Sequence, residues 1–269
     1  MISPLECLHF KFGCCLTFLP ILYTEMKILV FMSDNRSIGS DFDTASYVSL
    51  VACINAAYCK QHGYDFVYYQ PYFQNQFPLN VFNCKNFQTD ARRDASWSKL
   101  LSTIKALRAG YDYVVYIDSD CIFKDFTKTI ESYIVSNSNK DILFFNSNPW
   151  EIDKPCAGFF ICQTSNNTET MIRDWYNIDL PEKNENRAWE QDALWEIYKI
   201  LNIEILDEWM FEEKEGQYLR HIPGYCEESS KQRVPYFKDF VLKHGLNMKN
   251  NEFITKIAFD TSNASDFGF

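Results

Sequence analysis

Tyr111-Asp112-Tyr113-Val114-Val115-Tyr116-Ile117-Asp118-Ser119-Asp120 is the stretch that decides the fold. Its β-branched and aromatic residues are typical of a buried strand, and the run ends in two carboxylates separated by one residue. Open α/β sheets bind ligands at the carboxyl ends of their strands. Two acids this close repel each other unless a cation lies between them, and carboxylate oxygens suit Mn²⁺ or Mg²⁺. The stretch therefore predicts a divalent-cation site at Asp118 and Asp120. A turn with two solvated acids is the simpler alternative.

The flanking sequence extends this strand into an alternating pattern. Hydrophobic periodicity predicts helices, and short apolar runs predict strands. The first two predicted helices are each followed by a glycine, Gly63 and Gly110, which is a helix-ending signal. The predicted strands are 28–32, 65–69, 113–117, 141–146, 157–163, 203–206 and 218–222, and the predicted helices are 44–62, 96–109, 168–178 and 188–200. This order predicts an α/β fold, a Rossmann-like mixed sheet flanked by helices, in a single domain. We assign residues 26–240 to that domain and 241–269 to a C-terminal tail.

The composition and net charge limit which classes of partner the protein is expected to bind. The 269-residue chain is 46% hydrophobic and 17% aromatic, which is ample for a sizeable core, and its net charge is −10. A nucleic-acid partner is not expected, because binding a phosphate backbone needs clustered Lys and Arg. The chain contains no GxGxxG or GxxxxGK[ST] loop. A bound diphosphate would therefore need a metal ion to neutralise it.

Residues 1–25 form an N-terminal extension whose apolar run, 12–23, is too short for a firm membrane span. We favour Met26 as the true start, with a short signal or anchor as the alternative. Ten cysteines without CxxC spacing favour a reducing compartment. We therefore expect a cytoplasmic protein, or one in the Golgi or ER lumen if residues 1–25 act as a signal or anchor.

Further motifs occur in a fixed order around the acid pair. They are Trp97-Ser98-Lys99, Asp118-Ser119-Asp120, Ala157-Gly158-Phe159-Phe160, Trp189-Glu190-Gln191-Asp192-Ala193-Leu194 and His221-Ile222-Pro223-Gly224. Together they resemble metal-dependent glycosyltransferases of the GT-A fold, and most closely the galactosyl/mannosyl transferases of family 34. The resemblance covers residues 26 to 236. The acid pair alone is common to many transferases, whereas this order of motifs is more specific.

The resemblance implies a metal site of three ligands. Asp118 and Asp120 would coordinate Mn²⁺ (or Mg²⁺), with Asp118 also near the donor, and His221 would supply an imidazole from a late loop. An ordinary strand-end histidine is the alternative for His221.

The resemblance also implies a set of substrate-binding and catalytic residues. The donor would contact Ser33 and Asp34, which follow the first strand, and Gly158, whose missing side chain allows a sugar to approach closely. Cationic groups near the donor phosphates would be Lys99, Lys231 and Arg233. The residues expected at the reaction centre are Glu190, Gln191 and Asp192. An acidic first turn of a helix is the simpler explanation for the last three.

The implied activity is hexosyl transfer. The enzyme would move a hexose from a nucleoside-diphosphate sugar, with UDP-hexose favoured, to a hydroxyl of a glycan or other acceptor, with retention of anomeric configuration. Two alternatives stay open: a non-catalytic protein that binds nucleotide sugars or carbohydrates, and a phosphohydrolase of the DxD type. The phosphohydrolase is disfavoured because its acid pair normally follows the first strand.

Overall fold

A computed structural model describes residues 26–72, 84–85, 92–93, 95–147, 153–178, 190–210, 217–223, 227–261 and 264–267. The predicted extension 1–25, Trp189 and Gly224 lie outside these residues. The first half of the chain forms, in order, β1 (Ile28–Ser33), α1 (Tyr47–His62), β2 (Asp65–Tyr72), β3 (Cys84–Lys85), β4 (Arg92–Arg93), α2 (Ser98–Leu107), β5 (Tyr113–Ile117), β6 (Cys121–Phe123) and α3 (Ile130–Ser136). The second half forms β7 (Ile142–Asn146), β8 (Pro155–Gln163), α4 (Asn166–Asn177), α5 (Glu190–Ile197), β9 (Ile203–Trp209), β10 (Leu219–His221), α6 (Glu227–Lys243) and β11 (Thr255–Asp260).

Seven of these strands form the central sheet, in the order β11-β2-β1-β5-β8-β7-β9. Neighbouring strands are parallel except for β8, which runs antiparallel to both β5 and β7. β6 and β10 form a separate antiparallel pair. The predicted mixed α/β sheet is therefore confirmed.

Both faces of the sheet are covered. Side chains of β1 alternate between two apolar clusters: Val30 belongs to the one that contains α1 and part of α6, and Phe31 to the one that contains α2, α4 and part of α5. All six residues of β1 are buried. This burial explains why the strand reads as a continuous apolar run instead of an alternating one.

Most predicted elements lie within a few residues of the observed ones. Helix α1 begins at Tyr47, three residues later than predicted, because the Ser46 hydroxyl accepts a hydrogen bond from Ser49 N and caps the helix. It ends at Gly63, as predicted, with a φ of 76°. Helix α2 is shorter than predicted, because residues 95–97 form a 3-10 turn before it.

The C-terminal region differs from the predicted tail. Helix α6 runs to Lys243, past the predicted boundary, and β11 is a parallel edge strand that pairs with β2 from Thr255 to Asp260. The sequence does not predict these two elements. Pro235 interrupts the helical pattern of α6, and β11 has little apolar alternation because Phe259 is its one buried residue. Segment 241–269 therefore contributes to the sheet.

Candidate metal centre

The two carboxylates lie at the carboxyl end of β5. Asp118 follows the strand directly, and its backbone N–H donates to Gly158 O at 2.9 Å. A tight turn then leads into β6, closed by a hydrogen bond from Cys121 N to Asp118 O at 3.0 Å. Because both acids belong to this short connection, backbone hydrogen bonds limit how far they can move apart.

Strand pairing brings His221 to the acids from a distant part of the chain. β10 pairs with β6 so that His221 lies opposite Cys121, and Ile222 N donates to Asp120 O at 3.0 Å. His221 Nε2 lies 2.9 Å from Asp120 Oδ1 and 3.8 Å from Asp118 Oδ2. One ligand atom from each of these three residues lies within 4.8 Å of the others. The structure thus brings together the three predicted ligands.

Gly158 lies against this trio. β8 pairs with β5 so that Phe159 opposes Ile117, which places Gly158 beside Asp118. A Cβ atom at this position would lie 2.9 Å from His221 Cε1 and 3.0 Å from Asp118 Oδ2. Both distances are too short for unstrained contact. Gly158 therefore makes room for the candidate metal ligands, which is an additional reason for glycine beyond the predicted approach of a sugar.

Lys99 is a buried cation beside the trio. Its Nζ lies 2.7 Å from Glu190 Oε1 and 3.0 Å from Asp118 Oδ1, and it donates to Ala157 O at 3.2 Å. Burial disfavours the charged amine, but the two carboxylates outweigh burial and raise the pKa of Lys99 above its ordinary value. Lys99 therefore links the start of α5 to the metal trio.

The three predicted residues at the start of α5 differ in their surroundings. Glu190 is buried against Lys99, and its Oε2 atom has no hydrogen-bond partner among the described residues. Gln191 accepts from Ala157 N at 2.7 Å and donates to Pro155 O at 2.8 Å, so it fixes the start of β8. Asp192 is exposed. Only Glu190 is joined to the trio through an ion pair with Lys99.

The two predicted cations on α6 also differ. Arg233 is buried, and its guanidinium donates to Asp120 Oδ2 and, at 2.7 Å, to Ile222 O. Lys231 is exposed. Burial would raise the pKa of Asp120, but His221 and Arg233 hold it below the ordinary value. Burial would lower the pKa of His221, but Asp120 raises it to about 10.

Ser33 and Asp34 lie at the carboxyl end of β1, next to β5. The Ser33 hydroxyl is buried and lies 2.7 Å from Ser102 Oγ. The Asp34 carboxylate is bound by Arg36, whose Nε donates to it at 2.8 Å. Arg36 also donates to Ser119 Oγ at 3.3 Å and so reaches the residue between the two acids. Asp34 thus borders the metal centre, whereas Ser33 packs against α2.

Several supporting residues were not predicted. Tyr116 OH donates to Asp118 Oδ1. Asn55, fully buried on α1, donates to Cys121 O at 3.0 Å and accepts from Phe123 N at 3.1 Å. The guanidinium carbons of Arg36 and Arg233 lie 4.7 and 4.6 Å from the centre of the Tyr47 ring. Of these supporting residues, Asn55 alone carries a sequence signal, because it is a single polar residue within an apolar helical pattern.

The trio fits a divalent cation on its own chemistry. Two carboxylates and an imidazole are a donor set that Mn²⁺ accepts, and three protein ligands leave coordination positions open for substrate oxygens. The contacts around Gly158 support the same conclusion, since any side chain there would collide with two of the three ligands.

Comparison with solved structures finds the fold of this chain in a glycosyltransferase. A glycosyltransferase involved in the glycosylation of the major capsid of PBCV-1 has a TM-score of 0.56 at 15% identity, covering 79% of this chain and 99% of that one. The glycosyltransferase GlyE of Streptococcus pneumoniae TIGR4 has a TM-score of 0.45 at 11% identity, covering 82% of this chain and 64% of that one. The galactosyltransferase LgtC has a TM-score of 0.43 at 10% identity, covering 79% and 95%. No protein-family model matches the chain, and no curated protein matches its sequence.

The chain therefore has the GT-A-type fold of glycosyltransferases. Membership of family 34 stays a prediction. In the described part of the chain, no helix has the length and hydropathy needed to cross a membrane.

Proposed function

We propose that this protein is a metal-dependent glycosyltransferase that moves a hexose from a nucleoside-diphosphate sugar to an acceptor hydroxyl, with retention of configuration. The observation that carries the proposal is the trio Asp118, Asp120 and His221 at the carboxyl end of the sheet in a GT-A-type fold. A UDP-hexose is the favoured donor and a glycan hydroxyl the favoured acceptor.

In this proposal, the chain's own residues hold the charged part of the donor. Asp118, Asp120 and His221 bind a divalent ion, Mn²⁺ or Mg²⁺, which when bound offsets the charge that develops on the diphosphate. Arg233, beside Asp120, and Lys231, two residues earlier on α6, are proposed to contribute further positive charge. Ser33 and Asp34 border the region proposed for the base and ribose. Their proximity to β5 supports this assignment, because ligands of such sheets lie at the strand ends.

The transfer step breaks the bond between the anomeric carbon and the diphosphate oxygen, and the electron pair leaves with the diphosphate. A new bond forms between the anomeric carbon and the acceptor oxygen, whose proton passes to the departing diphosphate. Glu190 is the acid of α5 that is joined to the candidate metal ligands, because Lys99 pairs with both Glu190 and Asp118. Lys99 thereby orients Asp118 and Glu190 relative to each other.

Gln191 and Asp192 have different proposed roles in the transfer reaction. Gln191 holds the backbone of β8 beside Gly158 and so positions the donor-facing strand. Asp192 is proposed to stabilise positive charge on the sugar at the anomeric carbon. Asp192→Asn should then lower the transfer rate without changing Mn²⁺ affinity, and wild-type transfer by this variant would exclude that role.

The proposal is tested by incubating the protein with Mn²⁺ and a panel of UDP- and GDP-sugars. The expected result is release of nucleoside diphosphate by the wild-type protein. Asp120→Asn and His221→Ala should reduce this release by about 100-fold or more, because changing even the groups behind metal ligands costs about 10- to 100-fold. Release of inorganic phosphate would indicate a phosphohydrolase, and binding without release would indicate a non-catalytic binding protein. Either result would overturn the proposal.

A further inference from the structure

Arg233 is fixed at three points beside the candidate metal ligands. Its Nη2 donates to Asp120 Oδ2, and its Nε donates to Ile222 O at 2.7 Å. Its guanidinium carbon lies 4.6 Å from the centre of the Tyr47 ring. A buried arginine held in this way keeps its charge and its place, because guanidinium groups stay protonated in proteins. Arg233 therefore takes up one oxygen of Asp120 and leaves the other directed at His221.

The net charge of the trio and its neighbours indicates what Arg233 contributes. Three carboxylates, on Asp118, Asp120 and Glu190, face two permanent cations, Lys99 and Arg233, so one negative charge is in excess once His221 has given up its proton to act as a ligand. A divalent ion bound to a neutral imidazole would convert this into one excess positive charge. An uncompensated charge in a buried site is costly. A diphosphate, with at least two negative charges, more than offsets this positive charge.

We infer that Arg233 makes the binding of the divalent ion and of the nucleoside diphosphate mutually dependent. This inference rests on the proposed function and adds a specific role within it. Arg233 weakens the affinity for the ion alone by neutralising Asp120 in advance, and it strengthens the affinity for the diphosphate once the ion is bound. Since linkage is reciprocal, each ligand raises the affinity for the other by the same factor.

Tyr47 is the positioning residue for this arginine. An aromatic ring attracts a guanidinium without neutralising its charge, whereas a second carboxylate would cancel it. Arg36 lies against the same ring, but Asp34 pairs with it, so Arg36 brings little net charge to the site. Tyr47 thus holds Arg233 in place and leaves its charge available to a diphosphate.

The test measures Mn²⁺ affinity of the full chain, by the electron paramagnetic resonance signal of free Mn²⁺, with and without UDP or GDP. In the wild type, the nucleotide that binds should tighten Mn²⁺ binding by about 5- to 150-fold, the usual range for linked sites. Arg233→Met should bind Mn²⁺ alone more tightly than the wild type and should lose most of the enhancement by nucleotide. Arg233→Lys, which keeps the charge, should retain part of it.

Lys238→Met is the matched control, because it removes one positive charge from the same helix where Lys238 contacts Asp43 O and the Phe42 ring. It should leave both Mn²⁺ affinity and coupling unchanged. If Arg233→Met does not fold, as judged by circular dichroism, Tyr47→Leu replaces it and should reduce the coupling while keeping every charge.

Wild-type coupling that persists in Arg233→Met, or weaker Mn²⁺ binding by that variant alone, would overturn the inference and leave the proposed function intact. Failure of the wild type to bind Mn²⁺ with either nucleotide would instead overturn the proposed function.

Discussion

At Gly158 a single hydrogen atom occupies the space between two candidate metal ligands. A methyl group there would lie within about 3 Å of both the His221 ring and the Asp118 carboxylate. Neither neighbour can move away easily. The His221 ring is buried and pairs with Asp120, and the Asp118 carboxylate is partly buried and pairs with Lys99. At this scale, the candidate metal site depends on the absence of one side chain.

Gly158→Ala should therefore weaken Mn²⁺ binding with a smaller effect on folding. We expect a loss of affinity of about 10- to 100-fold, the range seen when groups behind metal ligands are changed. Gly39→Ala is the control, because a Cβ at Gly39 meets nothing within 4 Å. Equal Mn²⁺ affinity of the two variants, measured by calorimetric titration, would contradict this account of Gly158.

Lys99 supports a second prediction at the residue scale. Lys99→Met would leave Glu190 and Asp118 without their shared cation in a buried position, and breaking such a pair costs about 3–5 kcal/mol of unfolding free energy. Lys243→Met removes an exposed pair with Asp239 and should cost under about 1 kcal/mol. Urea unfolding of both variants measures the difference. Equal stabilities would show that the buried pairing contributes little.

Among the secondary-structure elements, the short strand β6 controls where the second acid lies. It pairs with β10 on one side, and on α1 the side chain of Asn55 bonds to the backbone of Cys121 and Phe123. This amide replaces a neighbouring strand by satisfying one buried carbonyl and one buried N–H group. Helix α1 thereby holds the turn that carries Asp120.

Asn55→Leu should accordingly destabilise the protein and weaken Mn²⁺ binding. Each buried backbone group left without a partner costs about 1–3 kcal/mol. The control is Asn251→Leu, because Asn251 also donates to two backbone carbonyls, Gly39 O and Ser49 O, away from the acids. We expect both variants to lose thermal stability and only Asn55→Leu to lose Mn²⁺ affinity. Unchanged Mn²⁺ affinity in Asn55→Leu would rule out its role at the turn.

For the whole molecule, the C-terminal segment completes the sheet on the side away from β9. β11 covers the edge of β2, and Phe259 packs on Tyr69 and on Phe267. Arg108 donates to Phe267 O at 3.1 Å, which ties the segment to the end of α2. An uncovered β2 would present an open edge to other chains.

The pair Phe259→Ala and Phe253→Ala tests whether this segment belongs to the folding unit. Phe259 is 6% exposed and Phe253 is 83% exposed, so the same substitution removes core packing in one case and surface area in the other. We expect a loss of about 3 kcal/mol for Phe259→Ala and less than about 0.5 kcal/mol for Phe253→Ala. Thermal unfolding that does not distinguish the two would show that β11 is dispensable.

The sequence by itself determined the sheet strands around β5 and the acid pair that follows β5, whereas His221 was expected only from the resemblance to GT-A glycosyltransferases. The run from Tyr113 to Ile117 is apolar because the strand is buried on both faces, and its terminal acids are visible as a local pattern. Likewise, the capped and glycine-terminated helix α1 follows from local rules, which require only neighbours in the chain.

Only the tertiary structure decided which residues support those ligands. His221 reaches Asp120 because β10 pairs with β6, and Lys99 reaches Glu190 because α2 and α5 pack on the same face of the sheet. Arg233 and Asn55 contact the site from helices that are far from the acids in sequence. Such contacts depend on strand register and helix packing, which join distant segments and leave no periodic pattern in the chain.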